Sequence, residues 1–346
     1  MVRVFICGGS GYTGGELLRI LSRHPEVVVT GVTSQRSAGK SVSELFPHLH
    51  KYATLMYEPL RKETILGKAD LFFMALPHGE SQEAVDYFFH QGKMVIDLSA
   101  DYRLRDAGIY EHWYKVPHAF QATLKRAVYG LPENYRRRIK RSRLIANPGC
   151  YPTGALLGLL PAVKNTLIDL SSLVIDAKSG TSGAGRKADI SVAFCEVNEG
   201  FKAYAVGTHR HIPEIEQELS LLAGKEVTIN FTPHLLPVDR GILTTIYARL
   251  EKGINAGAVE KIYRDAYKRE PFVRVLPYGL YPNIKNVRGT NYCDIGLKLN
   301  ERTNTLIVIT VIDNLVKGAS GQSVQNMNIM LGIDETVALD TPAVFP

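Results

Sequence analysis

Residues 2–21, VRVFICGGSGYTGGELLRIL, decide the fold of this chain. The apolar run Val2–Cys7 predicts a buried strand, and Glu16–His24 carries apolar residues at helical spacing. The glycine-rich segment Gly8–Gly14 lies between them and fits G-x-G-x-x-G and its G-x-x-G-x-x-G variant. Glycines at such a turn let the backbone approach a pyrophosphate, which binds to free N–H groups at the helix start. A strand before the glycines and a helix after them predict a dinucleotide site; the alternative is an ordinary tight turn. The predicted cofactor contacts in this turn are Gly8, Ser10, Gly11, Tyr12, Thr13 and Gly14.

The first half of the chain continues to alternate strands with helices. Strand patterns at Val27–Val32, Leu71–Leu76 and Met94–Leu98 surround a helical pattern at Glu80–His90. Apolar strands that alternate with helices indicate a parallel sheet covered on both faces. The first domain is therefore predicted to be an α/β Rossmann domain.

The second half has a different pattern, with β-branched strands and one long helical pattern between them, at Ala258–Lys268. This composition indicates an α+β catalytic domain with a largely antiparallel sheet. The strand patterns are Leu173–Ala177, Val227–Phe231, Ile242–Leu250, Tyr292–Leu299 and Thr305–Asp313. A helical tail at Gln322–Leu331 is expected to dock on the first domain. The predicted domains are residues 1–149 with 315–346, and residues 150–314.

Length and composition limit the classes of protein to consider. At 346 residues, with 45% hydrophobic and 22% charged residues, the chain predicts two globular domains. The net charge of +7 suits anionic small molecules. The basic run Arg136–Arg141 lacks a nucleic-acid motif and is interpreted as a solvated helix face.

Four scattered cysteines favour neither disulfides nor a structural zinc site. No apolar run approaches the roughly 20 residues of a membrane helix, and a cytoplasmic protein without membrane or nucleic-acid partners is expected.

Residues after the second strand indicate which cofactor is preferred. About 20 residues past the glycines, where an acid would hold a ribose 2′-OH, the chain reads Thr33-Ser34-Gln35-Arg36. A hydroxyl and an arginine suit a 2′-phosphate, so Ser34 and Arg36 predict NADP(H) over NAD, with a solvated arginine as the alternative. Leu76 and Pro77, at the end of a strand, are predicted cofactor contacts. Ser182 and Gly183 are also predicted contacts, in the small-residue loop Lys178–Arg186, which could form an anion nest; a flexible connection is the alternative.

The stretch Asn147-Pro148-Gly149-Cys150-Tyr151-Pro152 carries the predicted chemistry. Cys150 follows a turn and begins an apolar helical run, where the helix dipole favours a thiolate. A thiolate beside a nicotinamide can attack an acyl phosphate or an aldehyde, after which hydride moves between that carbon and the nicotinamide. Cys150 is therefore a predicted nucleophile, whereas Cys7, Cys195 and Cys293 are interpreted as core residues.

The reaction also needs a proton donor and groups that bind an anion. His209 and His211 flank Arg210, and Glu214 follows where it could orient an imidazole. The alternatives are a solvated loop or a zinc site formed by His209, His211 and Cys150. Arg103 could bind a phosphate or carboxylate, or could pair with Asp101 or Asp106. The predicted substrate contacts are Arg103, Asn147, Ser179 and Arg210, and no metal is predicted.

These motifs resemble those of the N-acetyl-γ-glutamyl-phosphate reductase family, in the semialdehyde dehydrogenase group. The matching segments span nearly the whole chain in order: 8–17, 75–79, 97–103, 147–153, 209–214, 289–292 and 313–318. The cysteine and histidine segments are specific to this family, whereas the glycine turn is shared with many others.

The resemblance implies reduction of N-acetyl-γ-glutamyl phosphate by NADPH in arginine biosynthesis, through a thioester on Cys150. It implies His211 as the acid/base residue, with His209 second, and places Asn314 beside the nicotinamide. It also implies a central domain used in oligomer contacts, in a homodimer or homotetramer. Two other functions stay open: a related phosphorylating semialdehyde dehydrogenase of the lysine-pathway or aspartate-semialdehyde type, and a non-catalytic NADP(H) sensor.

Overall fold

The computed structural model describes residues 1–251 and 253–345. Their contacts divide the chain into two compact units, Met1–Pro148 with Ala319–Asp340, and Gly149–Gly318 with Thr341–Pro346. The predicted helical tail therefore belongs to the first unit. The residues after Asp340 were expected there too, but they belong to the second unit, where Val344 donates its N–H to the carbonyl of Arg288.

The first unit is built on a parallel sheet of seven strands, in the order β3-β2-β1-β4-β5-β7-β6. Its strands are β1 (Val2–Cys7), β2 (Val27–Thr33), β3 (Tyr57–Glu58), β4 (Leu71–Met74), β5 (Met94–Asp97), β6 (Val128–Tyr129) and β7 (Leu144–Ala146). Its helices are α1 (Tyr12–Leu21), α2 (Val42–Leu45), α3 (Lys62–Ile65), α4 (Gln82–His90), α5 (Ala107–Tyr114), α6 (Gln121–Leu124) and α7 (Pro132–Ile139). This arrangement confirms the predicted Rossmann-type domain.

Apolar side chains from strands and helices form the core of this unit. Phe72 of β4 stacks on Phe88 of α4, with ring centroids 4.0 Å apart. Phe5 of β1 lies 5.7 Å from Phe72, so the aromatic residues connect two adjacent strands to a helix. Such aromatic pairs contribute about 0.5–1.5 kcal/mol beyond the area that they bury. The basic run after Tyr135 lies largely on α7, where Arg136 pairs with Glu335 of the C-terminal segment.

The second unit contains another seven-stranded sheet, in the order β12-β13-β14-β11-β8-β10-β9. Its strands are β8 (Val174–Gly180), β9 (Lys202–Ala203), β10 (Asn230–Leu236), β11 (Ile242–Arg249), β12 (Val273–Val275), β13 (Cys293–Asn300) and β14 (Thr305–Ile312). β8 pairs with β10, and β12 with β13, in parallel, while the other pairs are antiparallel. The sheet is therefore mixed, and the antiparallel prediction holds for only part of it, because β8 and β10 are joined by a long crossover rather than a hairpin.

Helices of the second unit are α8 (Cys150–Lys164), α9 (Phe194–Val197), α10 (Ile212–Ala223) and α11 (Ala256–Tyr267), and the first unit is completed by α12 (Gly321–Leu331). The segment Val316–Ser320 before α12 forms a π-helical turn. In the described part of the chain, no helix is both long and apolar enough to cross a bilayer.

The central helix α8 is buried almost throughout and packs on β11 and β14. A Cβ at Gly158 would lie 2.7 Å from Ile246 Cδ1, so this glycine permits close packing of the helix on the sheet. Pro161 lacks the N–H that would reach the carbonyl of Leu157, and the hydroxyl of Tyr267 on α11 donates to that carbonyl instead. This replacement explains how an apolar helix tolerates an internal proline.

Candidate active site

The glycine turn between β1 and α1 leaves open the space that a pyrophosphate would need. Gly8 has a φ of +91°, and a Cβ there would lie 2.3 Å from the carbonyl oxygen of Ala75. A Cβ at Gly14 would lie 2.5 Å from Gly9 Cα, so both glycines are required by packing. Gly11, the N-cap of α1, differs because a Cβ there would meet no other described atom within 4 Å. This glycine turn therefore fits a dinucleotide, because the turn is open at Gly11, where α1 begins.

Side chains at the end of β2 form hydrogen bonds with this turn. The N–H of Gly8 donates to Thr33 Oγ1 at 3.0 Å, and the hydroxyl of Ser34 donates to that of Ser10 at 2.8 Å. Arg36 is exposed just beyond Ser34. These hydrogen bonds join the turn to the end of β2, so Ser34 and Arg36 lie next to the predicted nucleotide site in the first unit.

The loops after β4 and β5 contain the remaining first-unit candidates. Leu76 is half-buried and Pro77 is exposed. Arg103 is buried and donates from Nε to the carbonyl of Asn147 at 2.8 Å and from Nη2 to that of Leu98 at 2.9 Å. Asn147 is also buried, and its amide donates to the carbonyl of Ala319. The side chains of Arg103 and Asn147 therefore connect loops of the first unit by hydrogen bonds. Their contact with substrate stays a prediction.

Cys150 is the first residue of α8 and is half-buried, so the predicted position at a helix start is confirmed. The N–H of Gly149, directly before it, donates to Oε1 of the buried Glu214 at 2.8 Å. The hydroxyl of Thr153, one turn further, donates to the carbonyl of Gly149. A Cβ at Gly318 would lie 2.9 Å from Cys150 Cβ, so only glycine permits this close approach. Glu214 thus holds the turn that carries the cysteine, and its predicted action on an imidazole stays a prediction.

The rings of His209 and His211 both pack against Tyr151, the residue after Cys150. Their centroids lie 4.9 Å apart, and the N–H of His211 donates to His209 Nδ1 at 3.1 Å. Burial and the adjacent charge of Arg210 lower the pKa of His209 to about 4, so this imidazole is neutral at neutral pH. The structure thus brings both histidines to the residue beside the cysteine.

Two tyrosines in this cluster were not among the sequence candidates. The hydroxyls of Tyr151 and Tyr204 lie 2.9 Å apart. Burial, together with the electrostatic influence of Cys150, raises the pKa of Tyr204 to about 12, so its hydroxyl stays neutral. Burial is also the main cause of a raised pKa for Tyr151. Tyr151 follows Cys150 in sequence and could have been suspected on that ground, whereas nothing in the sequence singles out Tyr204.

The second unit also brings together Ser179, Ser182, Gly183 and Asn314. Asn314 donates from Nδ2 to Ser182 Oγ at 2.9 Å and accepts the N–H of Gly241 at 2.8 Å. A Cβ at Gly183 would lie 3.0 Å from Ser179 Oγ. The predicted small-residue loop and Asn314 are therefore neighbours. Arg210 is exposed, and its contact with substrate stays a prediction.

The other cysteines differ in their surroundings. Cys7 and Cys293 are buried, as expected for core residues, and burial raises the pKa of the Cys7 thiol. Cys195 is exposed on the short helix α9, so its interpretation as a core residue is wrong. The residues around Cys195 are largely exposed, and the local sequence does not indicate this exposure. The described residues contain no group of three or more potential metal-ligating side chains.

Comparison with known proteins identifies the family. Residues 3–142 match the family model described as semialdehyde dehydrogenase, NAD binding domain, and residues 150–314 match the dimerisation domain of the same group. N-acetyl-gamma-glutamyl-phosphate reductases from Geobacter metallireducens and Pelotomaculum thermopropionicum are 56% and 53% identical, over all of this chain and 100% and 99% of theirs. The chain belongs to the N-acetyl-γ-glutamyl-phosphate reductase family. The predicted family, the oxidoreductase class and the nicotinamide dinucleotide domain are thereby confirmed.

Solved structures show the fold that this reductase family shares with others. Aspartate semialdehyde dehydrogenase II from Vibrio cholerae, complexed with ASA, gives a TM-score of 0.74 at 15% identity, over 96% of this chain and 98% of that one. The enzyme from Candida albicans with NADP gives 0.73 at 15% identity, over 96% and 99%. At this identity the likeness concerns the fold alone.

Proposed function

We propose that this protein reduces N-acetyl-γ-glutamyl phosphate to N-acetylglutamate semialdehyde and phosphate with NADPH, a step of arginine biosynthesis. The observation that carries the proposal is the position of Cys150 at the start of α8, in a turn held by Glu214, with His209 and His211 packed on the adjacent tyrosine. Identity of 51–56% over full length to reductases of this name supports the same substrate.

The proposed cofactor is NADP(H), which supplies a hydride when bound. In the first unit Gly8, Ser10, Gly11, Tyr12, Thr13, Gly14, Leu76 and Pro77 would hold its pyrophosphate and nicotinamide half. The hydroxyl of Ser34 and the exposed guanidinium of Arg36 favour a 2′-phosphate, because no acid follows β2 to hold a 2′-OH. In the second unit Ser182, Gly183 and Asn314 would contact the nicotinamide end. Fluorescence titration with NADPH and NADH measures this preference.

The first chemical step belongs to Cys150. Its thiolate, favoured by the helix dipole, attacks the γ-carbonyl carbon of the acyl phosphate, a C–S bond forms, the C–O bond to phosphate breaks and phosphate leaves. Arg103, Asn147, Ser179 and Arg210 are the proposed groups that bind the substrate. The buried carboxylate of Glu214 fixes the backbone before the nucleophile, which limits the motion of the sulfur.

The second step reduces the thioester carbon and leaves an oxyanion. His211 donates a proton to that oxygen and so stabilises the thiohemiacetal. The C–S bond then breaks, the hydroxyl proton returns to the base, and the aldehyde leaves with the thiolate restored. His209 is the second candidate for this role, but its low pKa leaves little of the protonated form at neutral pH.

We propose a homodimer or homotetramer located in the cytoplasm. The match of residues 150–314 to a dimerisation domain supports an oligomer, and the exposed apolar residues Ile190, Phe194, Phe201 and Val206 of that region are suited to cover by a second copy. Light scattering of the purified protein measures the number of chains, and fractionation of cells tests the location.

Replacement of the nucleophile tests the proposed function. We expect Cys150→Ser to reduce turnover to background, because a serine hydroxyl is far less ionised, while NADPH still binds with its normal Kd. Absorbance of reduced nicotinamide, with NADP⁺, phosphate and the acetylated semialdehyde, measures the reverse reaction. The exposed Cys195→Ser variant is the control and should keep normal rates. A Cys150→Ser enzyme with near-normal rates would remove the basis of the mechanism, and activity only with the non-acetylated semialdehyde would assign a different substrate.

A further inference from the structure

Four buried side chains of the first unit form a continuous chain of polar groups beside the loops that follow β4 and β5. Asp97 is the last residue of β5, Ser99 and Asp101 follow in the next turn, and Ser81 directly precedes α4. None of the four is more than 1% exposed. Bulk solvent therefore does not reach these groups, and their hydrogen bonds are made with one another and with the neighbouring backbone.

Three consecutive oxygen–oxygen contacts link the two carboxyl groups. Asp97 Oδ2 lies 2.8 Å from Ser99 Oγ, which lies 2.6 Å from Ser81 Oγ, which lies 2.9 Å from Asp101 Oδ2. Each distance is that of an O–H···O hydrogen bond and requires one proton. The two serine hydroxyls supply only two protons. A longer contact, 3.2 Å from Ser81 Oγ to Asp97 Oδ1, gives the Ser81 hydroxyl another acceptor but adds no proton. We therefore infer that one carboxyl group supplies the third proton, because two oxygen atoms at the shorter distances without a proton between them repel each other.

The surrounding donors indicate which carboxyl group is neutral. Asp101 accepts the N–H of Gly79 at 2.7 Å, the N–H of Ser81 at 3.1 Å and the hydroxyl of Tyr110 at 2.8 Å, all of which stabilise its charge. Asp97 accepts a single backbone N–H, from Ser99 at 3.0 Å. The charge therefore belongs on Asp101 and the proton on Asp97.

We propose that Asp97 and Asp101 share one proton through Ser99 and Ser81, and that the ionised Asp101 positions residues 77–81 for the nucleotide. Both are positioning residues, because their contacts are with the loop rather than with substrate. The loop carries Pro77, a proposed cofactor contact, so the consequence for nucleotide binding rests on the proposed function, whereas the shared proton does not.

The other charged and titratable groups nearby agree with this assignment. Burial, and then the charge of Asp101, raise the pKa of Asp97 to about 7, although hydrogen bonds from Ser99 and the charge of Arg103 oppose the shift. Burial is the main cause of raised pKa values for Tyr102 and Tyr110, so both hydroxyls stay neutral, and burial lowers the pKa of His118. The groups that face the pair are thus Arg103, Tyr102, Tyr110 and His118.

The proposal predicts a dependence on pH. Below about pH 7 the proton is present and the chain of hydrogen bonds is complete. Above it Asp97 ionises, one contact loses its proton, and two carboxylates repel each other beside the loop. Nucleotide affinity should therefore fall as the pH rises through this value. Because the pKa of Asp97 is higher in the folded than in the unfolded chain, its contribution to stability is likewise lost as the pH rises toward about 7.

The first measurement is an infrared titration of the wild-type protein without cofactor. We expect the C=O band of a protonated, buried carboxyl group at about pH 6, lost by about pH 9, and absent from Asp97→Asn at both values. A wild-type spectrum without this band at about pH 6 would overturn the shared proton. The wild-type spectrum alone decides whether the shared proton is present, without a bound nucleotide.

The second measurement is the Kd of NADPH across the same range. We expect the wild-type Kd to rise about tenfold or more between about pH 6 and about pH 8, and that of Asp97→Asn to change less than about twofold, because its amide donates to Ser99 at every pH. The Asp70→Asn variant, which removes a half-exposed carboxylate paired with Arg3, is the control and should behave as wild type. An Asp97→Asn profile equal to wild type would refute the positioning role, whereas failure of NADPH to bind at any pH would refute the proposed function and leave the infrared result unaffected.

Discussion

At the scale of single residues, the two histidines near Cys150 differ in what they can do. Both were predicted from one short motif, and the sequence did not separate their roles. In the structure His209 is an acceptor for the N–H of His211 and has a pKa of about 4, so at neutral pH it is a poor proton donor. This difference favours His211 as the acid, and it arises from burial and from Arg210 rather than from any spacing in the sequence.

Substitution of each histidine tests this assignment. We expect His211→Asn to lower kcat by about 10²–10⁴, the usual contribution of general acid catalysis, with little change in NADPH affinity. His209→Asn should lower kcat less. Steady-state rates of both variants, measured side by side, decide the question, and a larger loss for His209→Asn would reverse the two roles.

The low pKa of His209 also predicts how stability depends on pH. The unfolded imidazole takes up a proton below about pH 6.5, whereas the folded one resists it until about pH 4. Stability from this residue is therefore present above about pH 6.5 and is lost as the pH falls toward 4. We expect the free energy of unfolding of His209→Asn, from urea titrations at about pH 7 and about pH 5, to fall by about 2 kcal/mol less than that of wild type.

The exposed His112→Asn variant is the control for this measurement. Its free energy of unfolding should follow the wild-type dependence on pH. The same loss in wild type and in His209→Asn would show that other groups cause the acid sensitivity.

At the scale of elements, the sequence predicted most of the first unit and less of the second. The strands of the Rossmann-type sheet are short apolar runs bounded by turn residues, and such runs are visible locally. Helix α10 was not among the predicted elements, although Ile212, Ile215 and Leu219 lie at the spacing of one helix face. The parallel pairing of β8 with β10 joins segments distant in sequence, so no local pattern reveals its direction.

The turn before α1 offers a matched pair of glycine substitutions. In Gly14→Ala the new Cβ would collide with Gly9 Cα, so we expect a lower Tm and a loss of about 1–3 kcal/mol or more. In Gly11→Ala the Cβ meets open space, so Tm should be unchanged while the Kd for NADPH rises about tenfold. Thermal unfolding and NADPH titration of both variants measure the contrast. A Gly11→Ala protein with normal affinity would argue against a pyrophosphate at this helix start.

At the scale of the whole molecule, the first unit is assembled from two separate parts of the chain. Helix α12 belongs to it although Gly149–Gly318 of the second unit lies between the two parts in sequence. Asn326 of α12 donates to the carbonyl of Gly130, and Ser320 donates to that of Thr13, so the C-terminal segment is hydrogen-bonded to elements formed early in the chain.

Truncation tests the importance of this segment. A chain that ends at Gly318 lacks α12, and we expect it to lose NADPH binding, because buried groups of the first unit lose their partners. A chain that ends at Asp340 keeps the helix and should bind NADPH normally. Fluorescence titration and circular dichroism compare the two, and normal binding by the shorter chain would contradict a structural role for α12.

This divided construction sets the order of events on the ribosome. After Pro148 leaves the exit tunnel, about 170 more residues must be made before the segment that completes the nucleotide-binding unit follows. At about 5–20 residues per second, the partly built unit waits roughly ten to thirty seconds with one of its helices missing. The unit that begins first is thus completed only near the end of synthesis, and the carbonyl groups of Gly130 and Thr13 that accept from the late segment depend on solvent until then.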